Sequence, residues 1–205
     1  MTDKQAVMGA LYTLPCPSIS KKVMVEAFWP RSGALREGAL ILAGSLLIAL
    51  AAQLQIRLPF SPVPITGQTF AVLFLAAMYG SKRGVATVVT YLTLGLSGLP
   101  VFAAGAASLL GPTAGYLAGF VVAAFLVGTL SERGWDRRPW SAAASMIIGN
   151  LAIYFIGVGW LSRFIGWDSV LAAGVVPFLP GDAIKIALAA FLLPAGWKVL
   201  GRPRR

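Results

Sequence analysis

Asp182 and Lys185 stand three residues apart at the head of PFLPGDAIKIALAAFL (177–192), a run that is otherwise apolar. Positions i and i+3 of a helix share a face, so one carboxylate and one ammonium would project together. Asn150 and Tyr154, four apart in GNLAIYFIGVGWL, would share a face of another helix, and Gln68 and Thr69 open a third apolar run. An anionic acceptor, a cationic donor, two amides, a phenol and a hydroxyl form a set suited to gripping the polar end of a small molecule. The same carboxylate and amine could also move protons, but no recognisable nucleophile accompanies them.

Other chemistries are excluded by what the chain lacks. It has no His and one Cys, Cys16, which removes zinc sites built on His and Cys and the Ser-His-Asp arrangement. No G-x-x-x-x-G-K-S/T phosphate loop occurs, so ATP hydrolysis by this chain is not expected. Energy for any transport would come from a gradient or another subunit.

These groups must be positioned by membrane helices. The 205 residues are 58% hydrophobic and 12% charged, with a mean hydropathy of +0.79, against about 25% charged residues in soluble domains. Six apolar segments fall at roughly 35–56, 66–80, 84–98, 112–131, 140–162 and 181–200. A span of the hydrocarbon layer takes about 20 residues, so the second and third are short and need their ends sheltered by protein. The expected architecture is an all-α integral membrane protein of six transmembrane helices. An N-terminal cytoplasmic tail (1–34) precedes the membrane domain (35–200), and a basic cytoplasmic C-terminus (201–205) follows it.

Net charge is +10, and with a cytoplasmic N-terminus fourteen of the seventeen Lys and Arg fall on cytoplasmic segments. Only Arg57 and Arg163 lie outside, with Lys185 just within the last helix, as the positive-inside rule requires. The basic balance therefore reports topology and contact with anionic membrane lipid. A nucleic-acid partner is not expected, since that needs basic residues gathered on one solvated face. The tail has no signal-peptide pattern and reads as loosely ordered or surface-lying.

The outside connections are long, apolar and rich in Pro and Gly: LPFSPVPIT (58–66), GLSGLPVFAAGAASLLGP (95–112) and residues 164–180. Exposed, they would form an apolar patch that water penalises, so they are expected to fold back and cap an outward-facing pocket. Pro59, Pro62 and Pro64 fix φ and withdraw donors, giving 58–64 an extended path that serves as a lid or as a tight helix connection. Gly111, Gly115 and Gly119 recur at spacing four and favour close helix packing, or leave room for a flat ligand. Ala39 and Ala43, with Ser45 and Ala49 nearby, would let another helix approach, within the chain or from a partner.

Ionisable groups within a membrane cost roughly 2.5–3.5 kcal/mol each at mid-helix. Local accounts exist: Asp182, after Pro180 and Gly181, suits a helix N-cap, Lys185 could snorkel, Asn150 could make an interhelical amide bond, and Tyr154 could be a core aromatic. Taken together, and counted by depth into the same half of the membrane, they instead surround a pocket.

At this point LPFSPVPITGQTFAVLFLAAMYGSKRG, YLTLGLSGLPVFAAG, LLGPTAGYLAGF, GNLAIYFIGVGWL and VVPFLPGDAIKIALAA, in that order, resemble the BioY family over about residues 35–200. Those proteins are biotin-binding S components of energy-coupling factor transporters of the bacterial cytoplasmic membrane. The resemblance implies a six-helix bundle holding biotin as transported ligand, with no cofactor, under the loop between the first two helices. It places Asp182 and Lys185 on the family's P-G-D-x-x-K motif at the polar end of biotin, with Phe102, Pro112 and Tyr116 as wall residues. It further implies an EcfT-type coupling protein, met by Ala39 and Ala43, and ATP-binding-cassette ATPases as partners. Gly67 departs from the family, where a larger apolar residue is common. Rival readings are an S component for another vitamin, an intramembrane enzyme and a channel.

Overall fold

The computed structural model describes residues 23–29, 33–103 and 111–201. Cys16 and the loop positions Leu109 and Leu110 lie outside the described residues. The elements are α1 (Met24–Phe28), α2 (Ala34–Gln53), β1 (Gln55–Ile56), β2 (Ile65–Thr66), α3 (Gln68–Tyr79), α4 (Ser81–Leu96), α5 (Ala114–Glu132), α6 (Pro139–Ile165), α7 (Trp167–Gly174) and α8 (Leu179–Leu200).

Each of the six apolar segments holds one helix of 12 residues or more. Four stretches, Ala34–Gln53, Ala114–Glu132, Pro139–Ile165 and Trp167–Leu200, are long and apolar enough to cross a membrane. Helices α3 and α4 are shorter, at 12 and 16 residues, and rise only about 18 and 24 Å. Their junction is a single residue, Gly80, whose φ of +83° few side chains tolerate. Glu132 at the end of α5 compensates the start of α4, which has no cap of its own. Its Oε1 accepts from the Ser81 backbone N–H at 2.7 Å and the Ser81 hydroxyl at 2.8 Å.

Helix α5 is the hub, packed on α3, α4 and α6. Its small residues set the spacing: a Cβ on Gly119 would meet the Ile153 backbone at 2.9 Å, one on Gly115 would meet the Trp160 Cβ at 2.3 Å, and one on Gly128 would meet the Ser81 backbone at 2.4 Å. Close packing is thus what the glycine spacing encodes for Gly115 and Gly119. Gly111 lies before the helix, where its carbonyl accepts from Trp160 Nε1 at 3.0 Å. Large apolar side chains stay exposed at helical spacing, as with Leu42, Leu46 and Leu50 on α2, Ile147, Leu151 and Phe155 on α6, and Ile184, Leu188 and Phe191 on α8. Stripes of this kind face lipid in a membrane bundle.

Three expectations need correction. Residues 23–28, assigned to the N-terminal tail, include Val23, Met24 and Val25 buried in the core, because Gly196 on α8 opens a seat that Met24 fills. The Pro-rich stretch 58–64 holds no strand and opens with a turn at 58–61, where the Ser61 N–H bonds to the Leu58 carbonyl around Pro59. The extended backbone lies at its flanks, where β1 and β2 pair antiparallel as Gln55 with Thr66 and Ile56 with Ile65. Residues 164–180, read as a loop, contain α7 and a 3-10 turn at Val176–Phe178. Of the apolar residues expected beneath the loops, Val63, Phe102 and Phe178 are buried, while Phe60 is 64% exposed.

Candidate functional site

A cavity lies where the N-terminal ends of α3, α5 and α8 meet the middle of α6. It holds about 610 Å³ of unfilled space including its mouth. Val63, Pro64 and Thr66 of the hairpin and Phe102 and Ala103 of the α4–α5 connection line it, together with residues of the four helices.

Helix α8 begins at Leu179 with Phe178 at the N-cap, one turn earlier than an N-cap role for Asp182 demands. Asp182 therefore sits within the first turn and turns its carboxylate inward. It is only 5% exposed, and a buried charge needs partners. The Tyr154 hydroxyl donates to Oδ2, and Lys185 Nζ donates to Oδ1 at 3.1 Å. Lys185 Nζ also donates to the Thr66 carbonyl at 2.9 Å and to Thr69 Oγ1 at 2.8 Å. An ammonium has three donors, and all three are engaged. The carboxylate, with roughly four acceptor positions, keeps capacity for two more donors. Asn150 is 7% exposed, lines the cavity and has no hydrogen-bond partner among the described residues.

A second network fixes the opposite wall. Gln68 Nε2 donates to the hydroxyl of Tyr91, which donates to the Val101 carbonyl at 3.3 Å. Thr66 Oγ1 and Gln68 Oε1 are 3.1 Å apart. Tyr91 is fully buried and meets Phe102 edge-on, with centroids 5.3 Å apart at 88°, a favoured aromatic arrangement. Phe102 in turn occupies the place where a Cβ on Gly95 would stand, 2.0 Å away. Tyr116 donates to the Gly174 carbonyl at 2.8 Å and ties α5 to α7. Ser61 Oγ donates to the Ala173 carbonyl at 2.8 Å and so holds the hairpin to the same element.

Asp182, Lys185, Asn150, Tyr154, Gln68, Thr69, Phe102 and Tyr116 all line this cavity. Pro112 does not; its neighbour Thr113, the residue before α5, lines it instead. Ala39 and Ala43 lie away from it on the exposed side of α2, whose buried face is Gly44, Ser45, Ile48 and Ala52. The wall residues Leu117, Phe120 and Ile153 were not anticipated, since an apolar residue in an apolar helix carries no signal of what it faces. Thr66 and Tyr91 were also missed, although a polar group expected to be buried must find a partner, which is a usable signal. At Gly67, a Cβ would stand 2.9 Å from the Ala51 carbonyl oxygen. Among the described residues no group of three or more Asp, Glu, Cys or His gathers to hold a metal ion.

The sequence profile of the BioY family matches residues 21–202. The biotin transporter BioY of Thermotoga maritima is 39% identical over 157 residues, covering 75% of this chain and 92% of that protein. The biotin transporter BioY of Rhizobium etli is 36% identical over 162 residues, covering 74% and 87%. Among solved structures, the S-component for biotin from an ECF-type ABC transporter superposes with a TM-score of 0.67 at 26% identity, covering 82% of this chain and 95% of that one.

Proposed function

Because the chain belongs to the BioY family, we propose that it takes up biotin as the substrate-capturing S component of an energy-coupling factor transporter. The observation that carries this reading is the buried Asp182 carboxylate with acceptor capacity to spare, beside the unpartnered Asn150 amide, in a cavity otherwise walled by Phe102, Tyr116, Phe120, Ile153 and Phe178. The ureido ring of biotin offers N–H donors for a carboxylate and a carbonyl for an amide, and its fused rings are apolar. Lys185 fixes the carboxylate and ties it to the hairpin through the Thr66 carbonyl.

The positive-inside asymmetry supports a cavity that faces the exterior, with both termini in the cytoplasm. Without a phosphate loop of its own, the chain draws on ATPase subunits through an EcfT-type coupling protein. The exposed Ala39 and Ala43 of α2 are the contact proposed for that protein.

A binding isotherm on the detergent-solubilised chain, without ATP, tests the reading, and saturable tight binding of biotin is the expected result. Asp182→Asn removes a charge-assisted acceptor and is expected to weaken binding by about 2 kcal/mol. Unchanged affinity in that variant would refute the site. Mass spectrometry of a co-purifying vitamin other than biotin would reassign the ligand.

A further inference from the structure

Helix α5 has a second cleft on the side away from the cavity. It lies against α6 and the end of α4 and encloses about 850 Å³ including its open side. Ala114, Ala118 and Gly159 give it a floor of small residues between Leu92 and Ile156, and a Cβ built on Gly159 would meet nothing within 4 Å. From Ile156 to Arg163 it runs about 10 Å along α6 at 1.5 Å per residue, within one leaflet of a hydrocarbon layer about 30 Å thick.

The cleft ends at a cation. Arg163 lies over the Trp160 ring at 5.1 Å from the centroid, and Trp160 is itself held by its bond to the Gly111 carbonyl and by close contact with Gly115. Arg163 has no carboxylate partner among the described residues. The ring fixes one face of the guanidinium while its N–H groups stay available, the geometry that suits bidentate recognition of phosphate. A free phosphate would use only the arginine. An apolar trough leading away from that arginine along α6 fits an acyl chain beneath its headgroup.

We propose that this cleft binds one anionic phospholipid, with the headgroup phosphate on Arg163 and an acyl chain along Ala114, Ala118 and Gly159. Among the described residues, Leu117 is the one that lines both this cleft and the cavity.

The test is native mass spectrometry of the full chain, delipidated and then titrated with phosphatidylglycerol or phosphatidylcholine. The expected result is one phosphatidylglycerol held on the order of tenfold more tightly than phosphatidylcholine, with Arg163→Gln abolishing the preference. Gly159→Phe fills the trough and is expected to weaken both lipids. Monodispersity on size exclusion and an unchanged melting temperature qualify each variant as folded; should one variant fail that check, the other decides. Equal retention of the two lipids by the unaltered chain, or an unchanged preference in Arg163→Gln, would overturn the proposal. Loss with Arg163→Gln but not with Gly159→Phe would reduce it to a headgroup contact and overturn the cleft. Displacement by soluble glycerol phosphate at equal concentration would assign the arginine to free phosphate, and a dimer with no bound lipid mass would assign the cleft to a second copy; either overturns it.

Discussion

The carboxylate of Asp182 and the ammonium of Lys185 are unequal partners, because the lysine spends every donor within the protein while the aspartate does not. Lys185→Met keeps the apolar stem and removes the charge, which leaves Asp182 buried with Tyr154 as its remaining partner. Breaking a buried pair from one side is costly, tempered here by the 20% exposure of the lysine side chain. The single variant is expected to lose about 2 kcal/mol of stability, read as a lower melting temperature in detergent. Asp182→Asn combined with Lys185→Met should regain most of that stability but not biotin binding, a non-additivity that a double-mutant cycle measures. The polar half of the site was legible in the sequence for the same reason that makes this pair sensitive: a charge or amide inside an apolar run is expensive and so has a task. Of the apolar half, Phe102 and Tyr116 were named through the family resemblance, but the helix residues Phe120 and Ile153 were not, since they differ from the exposed Phe125 and Phe155 only in the direction they point.

At the scale of elements, contacts between backbones decide where helices can lie. A methyl group on Gly128 would stand 2.4–2.6 Å from backbone atoms of Gly80 and Ser81, and those atoms cannot rotate away as a side chain would. Gly128→Ala is therefore expected to push the α3–α4 turn off α5 at a cost of about 1–3 kcal/mol, with a matching fall in melting temperature. Gly38→Ala on α2, where nothing lies within 4 Å, serves as the comparison that should not destabilise. Each of the six apolar segments holds a helix of 12 residues or more, four of them within stretches long enough to cross a membrane, and Gly115 and Gly119 announced the α5–α6 contact. Element ends were less readable. The start of α8 at Leu179, the helical turn at 24–28 and the strands flanking 58–64 depend on what tertiary packing supplies: the Met24 seat at Gly196, and the bond from Ser61 to the Ala173 carbonyl.

For the whole molecule, the two ends differ in kind. The cavity end gathers neutral hydrogen bonds around one ion pair. The opposite end is stitched by charge, with Arg83 bonded to Glu37 and Glu26 and Asp136 accepting from Trp197 Nε1. Asp136 lies in the α5–α6 connection and is 1% exposed; burial raises its pKa above the ordinary carboxylate value, against the lowering effects of its bonds to Trp197 and Ser131 and of Arg137. A raised folded pKa means that the folded state takes up a proton before the unfolded state does. Stability should therefore grow as pH falls from above that raised value toward the ordinary one near 4, and level off below it. Thermal unfolding in detergent across this interval should show the slope in the natural chain and its loss in Asp136→Asn.

Leu117, only 5% exposed, lines both the cavity and the cleft behind it, so one side chain is common to the walls of both. A lipid seated in that cleft would bear on the same side chain that bounds the space proposed for the vitamin. With both hollows occupied as proposed, the back wall of the cavity would differ between detergent micelles and native membranes, and the affinity measured in each would differ with it.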